Sequence, residues 1–428
     1  MKRYEKYIAI PSTVSPVMPE AWTAKKLKFI LSYSKGKQPS QLTEEPIGDP
    51  YATMDYLRGR DCMLQYPVST EGLVHIDNDS LLVLWDGANA GEFLRGKAGY
   101  LGSTMAVVEA GDNMDKSYLF YLLKGSEALS KMIAGGTTIP HFSPTFFDEV
   151  FAIPSLEEQQ KIASFLDYKT ENIDRLTEIL TARIDDLKKY RQSVITLAVT
   201  NGLNNSAEMK DSGVVEIGNI PAHWSLSPMK YLLEGSMKYG ANESAESDNR
   251  DWPRYIRITD IAENGTLRDD SFKSLSPDKA NGYMLHKGDV LFARSGATVG
   301  KTYLFNEDYP ACYAGYLIKA TCGVKLLPEY LIRYTQSSSY DSWKNSVYIL
   351  STIQNIGAEK YSNLPIPVPP IEEQMSIVGY LDRKTKQIDD TIVATEQQIK
   401  NLQAYRISLI SEAVTGQIDV RDWTVPVE

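Results

Sequence analysis

One stretch of this sequence occurs twice. Residues 154–200, PSLEEQQKIASFLDYKTENIDRLTEILTARIDDLKKYRQSVITLAVT, return 215 positions later, from Pro369, as PPIEEQMSIVGYLDRKTKQIDDTIVATEQQIKNLQAYRISLISEAVT. About 20 of the roughly 47 aligned positions are identical without a gap, and internal self-similarity constrains a fold before any local signal does. Neither Pro nor Gly interrupts Leu156 to Thr200, and Ser155 with Glu158 three residues on has the pattern of a capping box. Each copy therefore predicts one long helix; roughly 44 residues make a rod of about 65 Å. In the first copy Ile173, Leu176, Leu180, Leu187, Tyr190, Val194 and Leu197 suggest a heptad seam. The second, with Gly379 as a weak spot, offers Ile388, Ile392, Ile399, Leu402, Tyr405 and Leu409. Neither seam is wholly apolar, so each helix needs a partner stripe, and the other copy is the nearest. We expect antiparallel packing, with Leu180, Leu187, Tyr190 and Val194 against Ile392, Ile399, Leu402 and Tyr405.

The repeat extends beyond the helix. Met18-Pro19-Glu20-Ala21-Trp22 returns as Ile220-Pro221-Ala222-His223-Trp224, and Asp79–Gly87 occupies the place of Gly288–Gly296. Tyr118–Leu122 echoes Tyr330–Tyr334 as a short helix. Short strands with frequent Gly, Asp and Asn turns point to an α+β class. The expected fold is two globular domains separated by two long antiparallel coiled-coil helices, in a pseudo-twofold internal repeat. Residues 1–152 form the first domain, in which 1–17 read as a loose leader; 153–203 form the first helix and 204–218 an Asn/Gly/Ser-rich linker. Residues 219–367 form the second domain, 368–418 the second helix and 419–428 a tail.

The three cysteines, Cys62, Cys312 and Cys322, are scattered and form no CxxC pair, which argues for a reducing, cytoplasmic setting and against a zinc site. No signal peptide opens the sequence, and no apolar run is long enough to span a bilayer. A net charge of −10 is weak evidence against a nucleic-acid partner, because acids cluster at Glu243–Asp251, in the repeats and in the tail, while Lys25, Lys26, Lys28, Lys35 and Lys37 lie together.

Three features, MKDSGVVEIGNIPAHW (209–224), GDVLFARSGATVGK (288–301) and the doubled P-x-x-E-Q helix, together resemble the specificity subunit of type I restriction–modification systems. The resemblance covers Met18 to about Ile418. It implies two target-recognition domains, each reading half of a split target in double-stranded DNA, and helices that dock two methyltransferase subunits. Adenine methylation and cleavage would be performed by those subunits and by restriction/translocase subunits. S-adenosylmethionine, Mg2+ and ATP would belong to the partners, and this chain would be non-catalytic. The alternative is a coiled-coil adaptor that kept the fold without reading DNA. Physically, two readers on a rigid spacer suit a ligand whose readable edges recur once per helical turn, about 34–36 Å apart.

Candidate DNA contacts follow from residue chemistry. Arg294, Ser295, Thr298 and Lys301 lie on a Gly-rich turn that can bring N–H groups and cations to phosphates. Lys344, Asn345, Thr352, Gln354 and Asn355 form a polar stretch, in which Gln and Asn can read adenine edges. In the first domain the candidates are Arg58, Arg60, Lys131, Thr137, Thr138 and His141, although Trp85-Asp86-Gly87 replaces the Arg-Ser-Gly of 294–296. Leu180, Leu187, Tyr190, Val194, Ile399, Leu402, Tyr405 and Leu409 are assigned to helix packing or subunit docking. The Gly296–Thr302 segment fails as a phosphate-binding P-loop, since three residues rather than four precede Gly300-Lys301. No catalytic or metal-ligating constellation is evident. Glu157-Glu158 and Glu372-Glu373 sit at helix starts, where acids offset the macrodipole.

The repeat carries its own test. A half-molecule of residues 1 to about 207 exposes a helix whose natural partner is nearly its twin, so two copies should pair isologously. With methyltransferase subunits the half-molecule should methylate a gapped palindrome. Sedimentation showing a monomer at high micromolar concentration with partners present would mean that the repeats are not interchangeable.

Overall fold

The computed structural model describes residues 2–426 apart from 136–138, 246, 263–264 and 350–354. The chain divides into two compact units, Met1–Thr181 with Gln397–Glu428, and Ala182–Glu396. These units do not follow the boundaries expected from the sequence. Each takes one globular region together with half of each long helix, because the helix halves bury their seams within the unit.

The long helices span Leu156–Asn201 and Ile371–Val414. The second runs on through Gly379. In the first unit Ile162, Phe165, Leu166 and Ile173 share a core with Leu409, Ile410, Ala413 and Val414, and Arg406 pairs with Asp174 through two hydrogen bonds of 3.1 and 3.3 Å. In the second unit Val194, Ile195, Ala198 and Val199 share a core with Ile377 and Leu381, and Arg191 pairs with Asp389 at 2.8 and 3.3 Å. Both sets of contacts run antiparallel. The two ion pairs are also the same pair under the 215-residue repeat.

The seam differs by one flank from the expected one. Ile173, Leu180 and Val194 are buried and Leu187 is half-buried, but Leu176, Tyr190 and Leu197 are exposed, as is Tyr405. The complementary positions are Thr170, Thr177, Ile184, Arg191 and Ala198, and in the second helix Thr385, Ile392, Ile399, Arg406 and Ala413. The polar members tolerate this place because they are satisfied. Thr177 and Thr385 donate to the carbonyls of Ile173 and Leu381, and the arginines bond the opposite helix.

Each globular region is built on the same four-stranded antiparallel sheet. In the first its order is Phe93–Arg95, Leu81–Leu84, Met105–Ala110, Leu31–Lys35; in the second, Thr302–Leu304, Asp289–Ala293, Leu317–Thr321, Lys238–Tyr239. Beside each lies a parallel pairing, Tyr51–Ala52 with Gly99–Leu101 and Arg254–Ile256 with Ala311–Tyr313. Where the chain leaves the first sheet, an added Cβ on Gly36 would lie 2.3 Å from the Gly102 carbonyl oxygen; Gly240 meets the Tyr313 carbonyl at the same distance. A side chain is excluded at both crossings. Each region joins its helix through a two-stranded ribbon, Thr23–Lys26 with Val150–Ile153 and Ser225–Pro228 with Pro365–Val368.

The expected leader is structured. Tyr7–Ala9 pairs with Val17–Pro19, and Met209–Asp211, in the expected linker, pairs with Asn219–Pro221. At three residues each, these strands are too short to read from alternation. The tail also packs: the Asp419 N–H donates to the Lys2 carbonyl, and Ile418 and Val420 are buried.

A buried glutamine joins each helix to its domain. Gln159 accepts from the Asp115 N–H at 2.8 Å and donates to the carbonyls of Asn113 and Pro154. Gln374 accepts from the Leu327 N–H at 2.9 Å and donates to the carbonyls of Lys325 and Pro369. Asp115 and Leu327 each begin the short helix of their domain. Gln374→Leu keeps the volume and strands a buried N–H, so it should cost about 1–3 kcal/mol. Urea denaturation of the full chain will measure this, and an unchanged midpoint would deny the glutamine its role.

Candidate nucleic-acid interface

In the second domain the strand Asp289–Ala293 runs out into Arg294 and Ser295. The Arg294 N–H donates to the Tyr316 carbonyl, the Ile356 N–H donates to the Arg294 carbonyl at 2.8 Å, and Ser295 bridges Asn355 in antiparallel fashion. Gly296 and Gly300, at φ of +76° and +83°, turn the chain back so that the Ala293 N–H reaches the Lys301 carbonyl. The Arg294 guanidinium lies over the Tyr239 ring, 5.0 Å from its centroid. Its Nε is buried without a hydrogen-bond partner among the described residues, and so is the Asn355 Oδ1. Beside this turn is an open cleft of about 410 Å3 lined by Asn242, Tyr255, Arg257, Thr259, Ser295 and Tyr316.

The structure thus brings Arg294, Ser295 and Asn355 together. Thr298 is half-exposed on the same turn. Lys301 faces elsewhere: its Nζ donates to the Ile261 carbonyl at 3.1 Å, so the lysine braces a neighbouring loop. Lys344 pairs with Asp341 at 2.6 Å and covers the Tyr340 ring, and Asn345 is exposed. Thr352 and Gln354 lie outside the described residues.

In the first domain the equivalent outlet is Trp85-Asp86. The Phe142 N–H donates to the Trp85 carbonyl at 2.7 Å, and Asp86 bridges His141. The Asp86 carboxylate meets His141 Nδ1 at 2.6 Å and Lys35 Nζ at 3.0 Å, while the Lys35 ammonium stands 5.4 Å from the Trp85 ring centroid. Burial pushes the Asp86 pKa up, but His141 and Lys35 outweigh it and hold the carboxyl below its ordinary range. The other first-domain candidates do not gather here. Arg58 pairs with Glu92, Arg60 with Asp55 and Lys131 with Glu127. Thr137 and Thr138 lie outside the described residues. Sequence reading missed Lys35, Trp85, Asp86, Tyr239 and Tyr316 as site residues. The available signal was the glycine that follows both Lys35 and Tyr239, which aligns the two strands.

Among the described residues no group of three or more His, Cys, Asp or Glu side chains is placed to hold a metal ion, and no helix is long and apolar enough to cross a membrane. Glu158 and Glu373 are engaged structurally. Tyr4 donates to the first, and Trp224 Nε1 donates to the second at 3.0 Å.

With this geometry in view, the chain's relationships are direct. Residues 19–189 and 234–402 both match the type I restriction modification DNA specificity domain, and the chain belongs to that family. It is 27% identical over 419 residues to the type I restriction enzyme MjaVIII specificity subunit of Methanocaldococcus jannaschii, covering 95% of each chain. It is 24% identical over 317 residues to the EcoBI specificity subunit of Escherichia coli, covering 72% of this chain and 65% of that one. A solved structure described as the structural basis of complex assembly and conformational transition of the type I R-M system superposes with a TM-score of 0.71 at 16% identity, covering 94% of this chain and 99% of the other. The HsdS subunit from Thermoanaerobacter tengcongensis gives a TM-score of 0.50 at 16% identity, covering 94% and 98%. These two likenesses concern the fold.

Burial pushes the Cys312 and Cys322 thiols up to about 12, so neither is a thiolate nucleophile at neutral pH. Iodoacetamide at pH 8 on the native chain should label Cys62, which is partly exposed, and spare Cys312, which is buried; Cys322, exposed to the same degree as Cys62, should react more slowly than it because its thiol is pushed up. Rapid labelling of Cys312 by mass spectrometry would contradict the burial.

Proposed function

We propose that this chain is the DNA-recognition subunit of a type I restriction–modification complex and reads a bipartite target in double-stranded DNA. The observation that carries this reading is the doubled DNA specificity domain in a single chain, with each copy placing different side chains on the same backbone outlet. Two similar but non-identical readers suit a split, asymmetric target. The adaptor alternative accounts for the acidic charge but gives no reason for two divergent outlets.

In this reading the chain performs no chemistry. Two modification subunits carry S-adenosylmethionine and methylate adenine, and restriction subunits use ATP and Mg2+. The half-exposed Tyr190 and Tyr405, equivalent under the repeat, support docking of one modification subunit at each helix pair. Ion pairs consume many of the acids: Asp86 with Lys35, Glu92 with Arg58 and Asp260 with Arg257 are examples.

The test is methylome sequencing of a host carrying the modification subunits with and without this chain. A single gapped motif methylated only when the chain is present is the expected result. The purified chain alone should bind no S-adenosylmethionine in a calorimetric titration. Methylation at the same motif without the chain, or by the chain alone, would overturn the proposal.

A further inference from the structure

The two outlets are one structure carrying exchanged chemistry. Lys35 and Tyr239 are equivalent, each ending a sheet strand immediately before a glycine that admits no side chain. Trp85 and Arg294 are equivalent, each accepting a backbone hydrogen bond from the residue after the bridge partner. Asp86 and Ser295 form equivalent bridges, to His141 and Asn355 respectively. A cation stands over an aromatic ring in both domains, but the partners have changed strands. In the first, Lys35 covers Trp85; in the second, Arg294 covers Tyr239.

Packing does not demand this exchange. The sheet order, the bridge and the backbone bond are the same on both sides, so a core requirement would have kept the same side chains. In the second domain the arrangement also leaves Arg294 Nε and Asn355 Oδ1 buried without partners among the described residues. An unmet buried polar atom costs stability, and its persistence calls for an explanation. A ring beneath the guanidinium fixes its plane, and a planar fork suits the paired acceptors of a guanine edge. The Lys35 ammonium has three donors, of which Asp86 accepts one.

We propose that these equivalent clusters are the base-reading elements of the two domains. Arg294, held over Tyr239 beside Asn355, reads a guanine O6/N7 edge in one half-target. Lys35, held between Trp85 and the Asp86–His141 pair, reads a purine acceptor edge in the other. Tyr239, Trp85 and Asp86 are positioning residues. This inference rests on the proposed function and names the residues that would carry it.

The experiment uses the full chain assembled with its modification subunits, a pool of duplexes with randomised sequence, and sequencing of the methylated products. Wild type should return a gapped motif with two specified halves. Arg294→Ala should lower discrimination about 5- to 150-fold at one position of one half and leave the other half intact, and Lys35→Ala should do the converse. Arg294→Lys keeps the charge and loses the fork, so it should lose the base preference while non-specific affinity holds. This variant also decides the matter if thermal melting shows that Arg294→Ala is misfolded. An unchanged motif in folded variants, or an equal loss at every position as for a phosphate contact, would overturn the inference. A wild-type complex that returns no split motif would instead overturn the proposed function.

Discussion

The structure depends on a side-chain amide. Gln159 and Gln374, both essentially inaccessible to solvent, accept the N–H that opens the short helix of each domain and donate to two carbonyls on either side of the junction. A long helix can swing about its first turn. Three hydrogen bonds through one rigid amide remove that freedom, and burial raises the cost of breaking them. A second tie lies about two turns along, where Asp167 accepts from Tyr121 and Asp382 from Arg333. Each outlet is therefore placed with respect to its own helix by contacts that recur in both repeats. The Arg–Asp pairs act one step further out. They are bidentate and partly exposed, so their value lies in register more than in stability.

Much of this was legible because it is repeated. The 215-residue offset exposes both helices, and the same alignment sets Gln159 against Gln374 and Arg191 against Arg406. The seam was half legible. Ile173, Leu180, Leu187 and Val194 follow from hydrophobicity, but their complement contains Thr170, Thr177 and Arg191, which no apolar pattern selects. Leu176, Tyr190 and Leu197 were chosen in their place because they are apolar, and they point outward. The first 17 residues and the linker looked unstructured for a related reason. Three-residue strands carry too little alternation to be seen, and their stability comes from Tyr4 packing on Trp22 and Lys210 reaching the Trp224 carbonyl.

The candidate site was less legible than the fold. Residue type selects Arg294 and Ser295 on a Gly-rich turn and Asn355 in a separate polar stretch, and the structure joins the two: Ser295 bridges Asn355 across 60 residues of sequence. Lys301 was read as a phosphate ligand, but the same turn points it at a backbone carbonyl. In the first domain Arg58, Arg60 and Lys131 are the obvious cations, and the structure pairs them with Glu92, Asp55 and Glu127, while the residues at the outlet include a tryptophan and an aspartate, which a search for cations does not select. A charge count over the whole chain cannot see this, since its −10 is a sum that says nothing of where the acids and bases lie.

The two units are closed in different ways, although the repeat makes them look alike. In the second unit the helix end passes through Gly202 directly into the strand Met209–Asp211, and Gly202 packs on Pro221 and Trp224. In the first unit Gly416 packs on Pro19 and Trp22, and the segment that follows it, residues 417–426, packs beside the strand Val17–Pro19 and its neighbours. Side chains hold that segment: Lys2 with Asp422, Arg421 over Tyr4, and Trp423 against Phe165 and Tyr168. Glu158 shows the same substitution, because Tyr4 takes the carboxylate that Trp224 takes in the second unit, and Trp22 Nε1 is left without a hydrogen-bond partner among the described residues. A covalent linker holds its segment at no entropic cost beyond closure, whereas the tail must be ordered by its contacts. Residues 397–428 are thus part of the packing of the first unit, and the segment beyond Gly416 is held there by side-chain contacts that have no counterpart among the described residues of the second unit.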